Sequence, residues 1–392
     1  MAKDPGRIDQ LLSKGVEEVI DEAHLRAALA AQKKLRIKFG IDPTSPDLHL
    51  GHAVALRKLR DFQDAGHTIV LIVGDFTGRI GDPSGRTEAR KPLEPKQIKE
   101  NMKHYLEQAG KILNVKKAEV AFNSQWFDNE GIEEFVKLAS ATSFQQILRR
   151  ADFKKRIDEG LDITFLELLY PLFQGYDSVK IKADLEVGGT DQKFNLLMGR
   201  RIQRHFGQPE QDIMTFPLLE GLDGVKKMSK SVGNYIGLDD KPEDMFGKIM
   251  SLPDALIKKY FVLCTDVDES ELKEIQKEEN PKIQKERLGF EIVKLYHGEA
   301  AAREAKENFE KLFSKKEIPA DIPELKLKKG ENAVIDIVVA TGIKSRSEAR
   351  RLIEQGGFDV DGRNEKDPQA AISVKGGETL KIGKKKFFRV KV

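Results

Sequence analysis

Two histidines stand three positions apart in the stretch DPTSPDLHLGH, which spans residues 42–52. His49 and His52 could hold a metal, could face solvent at the start of a helix, or could donate hydrogen bonds to a phosphate. No further cluster of ligand residues accompanies them, and two histidines alone make a poor zinc site, so we expect no protein-bound metal. Gly51 permits close backbone approach, and a helix starting here would offer free amides to an anion. The stretch alone leaves surface histidines and phosphate binding open.

A second candidate for phosphate chemistry is the loop GVKKMSKSVGN at 224–234. Lys227 and Lys230 lie between Gly224 and Gly233, an arrangement that suits a mobile loop closing over a ligand. A lysine ammonium on a flexible stem can stabilise negative charge that develops on a phosphate. An exposed basic turn is the alternative when the loop is considered by itself. The two stretches are therefore two candidate phosphate-binding segments, about 175 residues apart in the chain.

The hydrophobic pattern around the histidine stretch predicts a parallel α/β sheet. We expect a helix over 7–33, a buried strand over 35–41, a helix over 51–66 and a second buried strand over 68–75. The crossover between such parallel strands is expected to be right-handed. Ligands of doubly wound sheets bind beyond the carboxyl ends of the strands. The histidine stretch directly follows the first of these strands, where a ligand is expected.

The remaining chain continues this alternation and then becomes helical. Further helices are predicted over 95–112, 131–150, 163–180 and 190–207, and further strands over 183–189 and 212–219. From about 243 to 315 the pattern is mostly charged helix, and a linker with two prolines follows at 314–332. A small unit therefore ends the chain.

Basic charge is concentrated in that small unit, although the net charge of the whole chain is only +3. Residues 341–392 carry 13 Lys or Arg against seven Asp or Glu, and the rest of the chain has a slight acidic excess. This distribution favours a terminal segment that contacts phosphates. A solvated lysine tail is the alternative.

Composition excludes several classes of protein. The length of 392 residues predicts two or three domains. Cys264 is the only cysteine, so an intrachain disulfide and a cysteine-based zinc finger are excluded. No apolar run reaches the roughly 18 residues of a membrane span, and the first residues lack an apolar signal core. We therefore expect a cytoplasmic protein that does not associate with membranes.

Five stretches resemble, in order and spacing, the motifs of the bacterial tyrosyl-tRNA synthetases, a family of class I aminoacyl-tRNA synthetases. They are the histidine stretch, GDFTGRIGDPSGR at 74–86, YPLFQGYD at 170–177, VGGTDQKFN at 187–195 and the lysine loop. The intact K-M-S-K-S resembles the branch of the family that retains this motif. The resemblance implies that the carboxylate of L-tyrosine attacks the α-phosphate of ATP, with Mg²⁺ expected alongside ATP. The tyrosyl group would then pass to the 3′ end of tRNA(Tyr).

The resemblance also implies an architecture. It consists of an α/β, Rossmann-like parallel-sheet catalytic domain over 1–235, an α-helical domain facing the anticodon arm over 236–320, and a small α+β RNA-binding domain over 330–392. A homodimer, with one tRNA spanning both subunits, is implied as well.

Matching positions imply which residues would bind tyrosine. Tyr170, Gln174 and Asp82 would hold the ammonium group, whose three donors suit one carboxylate and two neutral oxygens. Asp177 would accept a hydrogen bond from the phenol hydroxyl. Gln192 would lie near the carboxyl group of the amino acid.

Matching positions likewise imply the contacts to ATP. The residues expected there are Thr44, His49, Gly51, His52, Asp191, Lys227 and Lys230. Asp191 would hold the ribose, while the two histidines and two lysines would be catalytic. No general base is needed, because the attacking carboxylate is already ionised. Catalysis would consist of orientation and electrostatic stabilisation.

The terminal unit resembles a small RNA-binding fold shared with a small-subunit ribosomal protein. The residues expected to bind RNA are Arg346, Arg350 and Arg351 on or beside a helix, and Lys384 and Lys385 in a basic strand. Such side chains would contact the tRNA backbone, with salt-sensitive affinity and little sequence reading.

Two positions depart from the family, and three alternative functions compete. Lys38 stands where the other branch has a tyrosine that contacts the phenol hydroxyl, and Phe39 stands where a small polar group often lies near the ribose. A tryptophanyl-tRNA synthetase is disfavoured by Asp177, the GGTDQ turn and the terminal unit. A nucleotidylyltransferase would not need the long C-terminus, and an inactive RNA-binding protein would not need both intact motifs.

Overall fold

The computed structural model describes residues 5–43, 47–84, 94–313, 322–343, 345–383 and 386–392. The chain forms two compact units, Met1–Lys306 and Glu307–Val392. None of the described helices is long and apolar enough to cross a membrane.

A six-stranded sheet forms the centre of the first unit. Its strands are β1 Glu18–Ile20, β2 Arg36–Ile41, β3 Thr68–Val73, β4 Glu119–Phe122, β5 Leu185–Gly189 and β6 Asp212–Phe216. They are ordered β1-β6-β5-β2-β3-β4, and only β1 is antiparallel to its neighbour. The five parallel strands, numbered along the chain, therefore follow the order 3-2-1-4-5. This is the order of a Rossmann-type sheet, so the predicted fold class is confirmed.

Fifteen helices begin in the described part of the first unit. Those associated with the sheet are α1 Pro5–Ser13, α2 Glu22–Ala30, α3 Leu50–Asp64, α4 Pro95–Ala109, α5 Ser124–Phe127, α6 Ile132–Ala139, α7 Phe144–Leu148, α8 Ala151–Asp158, α9 Phe165–Ile181 and α10 Lys193–His205. Those that follow are α11 Pro242–Met250, α12 Ile257–Cys264, α13 Glu269–Ile275, α14 Pro281–His297 and α15 Glu299–Phe313. The predicted helices around the motifs and the predicted helical segment are confirmed.

Helix α9 carries three predicted site residues, and its sequence fixes both its start and its packing. Thr164 and Glu167 form a capping box, in which each side chain accepts a hydrogen bond from the other's backbone amide. A Cβ on Gly175 would lie 2.6 Å from Cδ1 of Ile202 and 3.2 Å from the backbone nitrogen of Gly199. The glycine thus lets α9 and α10 pack closely.

Two predicted helices differ from the structure, and a further strand was missed. The helix predicted over 7–33 is wrong, because β1 interrupts it and pairs with β6. Positive φ angles at Gly15 and Asp21, 70° and 64°, turn the chain on both sides of that strand. The helix predicted over 131–150 is divided where the side chain of Ser143 caps α7. Strand β4 was not predicted.

Beyond the end of α15, the described residues of the second unit form a five-stranded sheet, a two-stranded sheet and two helices. Its strands are β7 Glu324–Lys326, β8 Gly330–Ala333, β9 Phe358–Val360, β10 Arg363–Asn364, β11 Ala371–Val374, β12 Thr379–Ile382 and β13 Lys386–Lys391, and its helices are α16 Val334–Ala340 and α17 Arg346–Glu354. The larger sheet has the order β10-β9-β12-β13-β7. Ile337, Ile353 and Phe358 are buried between these elements. The helix predicted on or beside Arg346, Arg350 and Arg351 is present as α17.

Candidate active site

The candidate site lies at the carboxyl ends of β2 and β5, where the strand order reverses. Asp42 directly follows β2, and Asp191 lies in a short 3₁₀ turn directly after β5. Helices leave neighbouring strands on opposite sides of such a switch point, which opens a crevice for a ligand. The histidine stretch and the GGTDQ turn therefore meet at one edge of the sheet.

His49 and His52 pack against each other at the start of α3. Their ring centroids lie 3.9 Å apart, and the backbone amide of His49 donates to Nδ1 of His52 at 3.3 Å. That bond leaves Nε2 of His52 to carry the proton of a neutral ring. Burial, then the charge of His52 and those of Lys227 and Lys230, lower the pKa of His49 to about 2. Burial, then the charges of the two lysines, lower the pKa of His52 to about 4. Both imidazoles are thus neutral hydrogen-bonding groups at neutral pH.

Backbone hydrogen bonds join the histidine stretch to the chain just beyond the lysine loop. The amide of Leu50 donates to the carbonyl of Ile236, and the amide of Leu238 donates to that of Leu48, both at 3.0 Å. His49 and Gly237 form an antiparallel bridge between these bonds. The two motifs, distant in sequence, are therefore neighbours in the fold.

The two predicted lysines are each paired with a carboxylate of the site. Lys227 forms an ion pair with Asp191, and Lys230 forms one with Asp47 of the histidine stretch. The ammonium of Lys230 also lies 5.6 Å from the ring centroid of Tyr235. The positive charge of the loop is therefore aimed at the edge of the sheet where a nucleotide would lie.

A buried asparagine shapes the lysine loop. Oδ1 of Asn234 accepts from the amide of Ser229 at 2.8 Å, and Nδ2 donates to the side chain of Asp223 at 2.8 Å. Met228, at the centre of the motif, is buried. The motif residues between the lysines thus anchor the loop, while Lys227 remains exposed.

Tyr170 is held by Asp42, a residue to which the sequence assigned no definite role. Its hydroxyl donates to Oδ2 of Asp42 at 2.7 Å, and the hydroxyl of Thr77 donates to Oδ1 at 2.8 Å. Burial, and then the carboxylates of Asp42, Asp82 and Asp177, raise the pKa of Tyr170 well above its ordinary value. The three carboxylates thus surround one phenol and create a negative potential suited to an ammonium group.

Asp82 and Gln192, both predicted to bind tyrosine, contact each other directly. Nε2 of Gln192 donates to Oδ2 of Asp82 at 2.7 Å, and the amide of Ser84 donates to Oδ1 at 2.9 Å. Oε1 of Gln192 accepts from Asn195 at 3.1 Å. This network orients both side chains before any substrate binds.

Asp177 is only 3% exposed and has two partners that the sequence did not reveal. Nε1 of Trp126 donates to Oδ1 at 3.0 Å, and Nδ2 of Asn123 lies 3.5 Å from Oδ2. Burial raises the pKa of Asp177 to about 7, against the opposing effects of Lys38, Trp126 and Asn123. The position of NSQW after β4, at the same edge of the sheet, was the available signal.

Gln174 is drawn into a buried network with two strands. Its Nε2 donates to Oε1 of Glu186 at 3.2 Å, and its carbonyl accepts from Nζ of Lys38 at 2.6 Å. The ammonium of Lys38 is directed at α9 and β5, where it contacts Gln174, Ser178 and Glu186.

Some predicted site residues are not part of this arrangement. Thr44, Lys384 and Lys385 lie outside the described residues. Arg346, Arg350 and Arg351 are exposed on α17 in the second unit, where Arg346 pairs with Asp336 at 2.7 Å. Among the described residues, no group of three or more His, Cys, Asp or Glu is arranged to hold a metal ion.

Comparison with known families agrees with this geometry. Residues 30–314 match the family described as tRNA synthetases class I (W and Y), and the chain belongs to that family. It is 48% identical over 387 residues to the tyrosine–tRNA ligase of Thermotoga maritima, covering 97% of this chain and 96% of that protein. It is 47% identical over 382 residues to that of Aquifex aeolicus, covering 97% of each. Within the family the chain is a tyrosyl-tRNA synthetase of the bacterial type.

Solved structures show the same fold. The C-terminally truncated mitochondrial tyrosyl-tRNA synthetase of Aspergillus nidulans matches with a TM-score of 0.67 and 23% identity, over 80% of this chain and 95% of that one. The tyrosyl-tRNA synthetase of Archaeoglobus fulgidus complexed with L-tyrosine matches with a TM-score of 0.62 and 23% identity, over 77% of this chain and 100% of that one. The relatives at 48% and 47% identity are tyrosine–tRNA ligases, so the tryptophanyl and nucleotidylyltransferase alternatives are set aside.

Proposed function

We propose that the crevice at the switch point binds L-tyrosine and ATP side by side and joins them as tyrosyl-adenylate. As a member of its family, the enzyme is a tyrosine–tRNA ligase. The observation that supports the placement of tyrosine is the buried carboxylate of Asp177. An ionised carboxylate at this depth is favourable only when hydrogen-bond donors satisfy it. Trp126 and Asn123 supply two donors, and the phenol hydroxyl of tyrosine would supply another.

The other end of the tyrosine pocket suits the substrate's ammonium group. Tyr170 and Asp82 lie in the field of several carboxylates, and Gln174 lies one turn beyond Tyr170 on the same helix. Gln192 is held by Asp82, so its amide can orient the substrate's carboxyl group beside the α-phosphate. Orientation of this kind can lower the barrier by several kcal/mol, about 7 or more in favourable cases.

The nucleotide would occupy the space between the histidines, the lysine loop and Asp191. His49 and His52 would donate hydrogen bonds as neutral rings, and the amides at Gly51 would face the phosphates. Binding requires Lys227 to exchange Asp191 for a phosphate, which frees that carboxylate for the ribose hydroxyls. Thr44 would contribute from the histidine stretch. We propose that Mg²⁺ enters the site bound to the phosphates of ATP.

Two surfaces suggest the macromolecular partners, which are tRNA and a second copy of the chain. The exposed arginines of α17, with Lys384 and Lys385, would bind the backbone of tRNA(Tyr). Large apolar side chains are exposed on the first unit; they include Ile132, Phe135, Val136, Phe144, Phe165 and Leu166. We propose that these exposed apolar side chains are covered in a homodimer. We also propose the three-part domain division over 1–235, 236–320 and 330–392.

Amino-acid-dependent exchange of pyrophosphate into ATP tests the proposal. We expect exchange with tyrosine and much less with phenylalanine or tryptophan. Asp177→Asn should raise KM for tyrosine and reduce the ratio of kcat/KM for tyrosine to kcat/KM for phenylalanine. Asp184→Asn is a matched control, because Asp184 pairs with Lys33 away from the crevice. Exchange with tryptophan but not with tyrosine would contradict the proposal.

A further inference from the structure

Lys38 is a completely buried lysine beside the tyrosine pocket. It lies on β2 directly opposite Glu186 of β5 in the parallel register, and the two side chains are 0% and 1% exposed. Nζ of Lys38 contacts Oε1 of Glu186 at 2.9 Å, the carbonyl of Gln174 at 2.6 Å and Oγ of Ser178 at 2.8 Å. An ammonium group has three donors, so each is already used by the protein. Lys38 therefore acts on the substrate only through other residues.

The contacts of this buried pair converge on one face of α9. Lys38 holds the main-chain carbonyl of Gln174, and Glu186 accepts from the side-chain amide of the same residue at 3.2 Å. Glu186 also accepts from Ser178 at 3.2 Å and from Gln211. Both ends of Gln174 are thereby fixed relative to the sheet. Since Gln174 lies between Tyr170 and Asp177 on this face, the pair sets the position of the whole face.

The pair also determines the electrostatic surroundings of Asp177. The ionisable groups that act on Asp177 are Lys38 from β2, Glu186 from β5 and Tyr170 from its own helix, whereas Asn123 and Trp126 contribute neutral donors. Lys38 favours the carboxylate, and Glu186 opposes it. Loss of Lys38 should therefore raise the pKa of Asp177, and loss of the charge of Glu186 should lower it.

We propose that Lys38, fixed by Glu186, is a positioning residue for the recognition of tyrosine. It keeps the Gln174 face of α9 in register with the sheet, and it sustains the negative charge with which Asp177 accepts the phenol hydroxyl. This inference rests on the proposed function of the crevice.

A structural pair without this role would behave differently. Buried ion pairs can often be replaced by apolar side chains of similar volume without loss of stability. The double variant Lys38→Met with Glu186→Leu should therefore fold. If the pair only supported the fold, this variant would retain the wild-type preference for tyrosine.

The test is tyrosine-dependent pyrophosphate exchange as a function of pH, over about pH 5.5 to 9. Lys38→Met should move the acidic limb of kcat/KM for tyrosine to higher pH, and Glu186→Gln should move it to lower pH. Both should raise KM for tyrosine several-fold more than KM for ATP. Lys38→Met should also reduce the preference for tyrosine over phenylalanine, by about tenfold for each pH unit of the shift.

Lys58→Met is the matched control. Lys58 is also buried and donates to the backbone carbonyls of Gln10 and Leu11, but it lies outside the crevice. Lys58→Met should leave the pH dependence of kcat/KM for tyrosine and the preference for tyrosine over phenylalanine unchanged.

Each outcome decides the inference. Opposite shifts for the two single variants support it, and unchanged or parallel shifts overturn it. If Lys38→Met fails to fold, Glu186→Gln decides alone: a shift to lower pH supports the inference and no shift overturns it. A wild-type enzyme inactive with tyrosine would instead contradict the proposed function.

Discussion

Gly51 lies against the imidazole of His49 so closely that a Cβ on the glycine would be 3.0 Å from both Cε1 and Nδ1 of the ring. The glycine is therefore required by the position of a side chain in the preceding turn. Gly51→Ala should displace the His49 ring by a few tenths of an ångström. We expect adenylate formation to slow by about tenfold or more, because small misplacements of catalytic groups are costly.

The rate of tyrosyl-adenylate formation in a single turnover measures this effect. The Kd for tyrosine is measured alongside it. Gly131→Ala is the control, since a Cβ there meets no atom within 4 Å. Equal rates for Gly51→Ala and the control would show that the ring position does not matter.

Lys230 should act mainly in the transition state. Lys230→Ala removes an ammonium that can leave Asp47 for the developing charge of the phosphates. We expect adenylate formation to slow by about 100-fold to 1,000-fold, with the Kd for tyrosine changed by less than about twofold. Stopped-flow measurement separates the two quantities. Lys226 is an exposed lysine of the same loop, and Lys226→Ala should form adenylate at nearly the wild-type rate. If Lys230→Ala weakened tyrosine binding and left the rate of adenylate formation unchanged, the proposed role of Lys230 would be wrong.

The histidine pair should make stability depend on pH. In the folded state the pKa of His52 is lowered to about 4, so between about pH 6.5 and 4 the unfolded chain binds more protons. The contribution of His52 is therefore fully present above about pH 6.5 and is lost as the pH falls towards 4. Urea midpoints measured across this range should fall more steeply for the wild type than for His52→Asn. Identical slopes would mean that His52 is not desolvated in the fold.

The arginines of α17 should contribute to tRNA binding and not to adenylate formation. Replacing Arg350 and Arg351 by alanine should weaken tRNA affinity and reduce the slope of log affinity against log salt by up to about two. Pyrophosphate exchange should be unchanged. Arg204→Ala is a control, because Arg204 is an exposed arginine of α10 that pairs with Glu210, outside the helical segment expected to face the anticodon arm. An unchanged salt slope would remove α17 from the RNA-binding surface.

Sequence patterns predicted the elements that surround the motifs because these elements are locally determined. The buried strands β2 and β3 are continuous apolar runs, and α3 has helical periodicity with a glycine at its end. Strand β1 was missed because its three residues are defined by pairing with Met214 and its neighbours, far along the chain. Such long-range pairing leaves almost no local signal.

Sequence motifs identified most residues of the candidate site. They did not identify the buried side chains that hold those residues in place. Motif matching selected Asp177, but neither Trp126 nor Asn123 belongs to a recognised pattern. In the sequence, Lys38 stood out only because it departs from the family pattern. A single lysine within a strand gives no indication that its side chain is fully buried. Its pairing with Glu186 depends on the register of two strands that are not consecutive in sequence.

The antiparallel bridge between His49 and Gly237 has a consequence for how the enzyme tolerates change. Because main-chain bonds fix the downstream end of the lysine loop to the histidine segment, the distance between the two motifs does not depend on the length of the polypeptide between them. Insertions, deletions or a backbone cut in the surface turns of that intervening region leave this attachment in place. The histidine and lysine motifs therefore keep their mutual position through the main-chain attachment at Gly237.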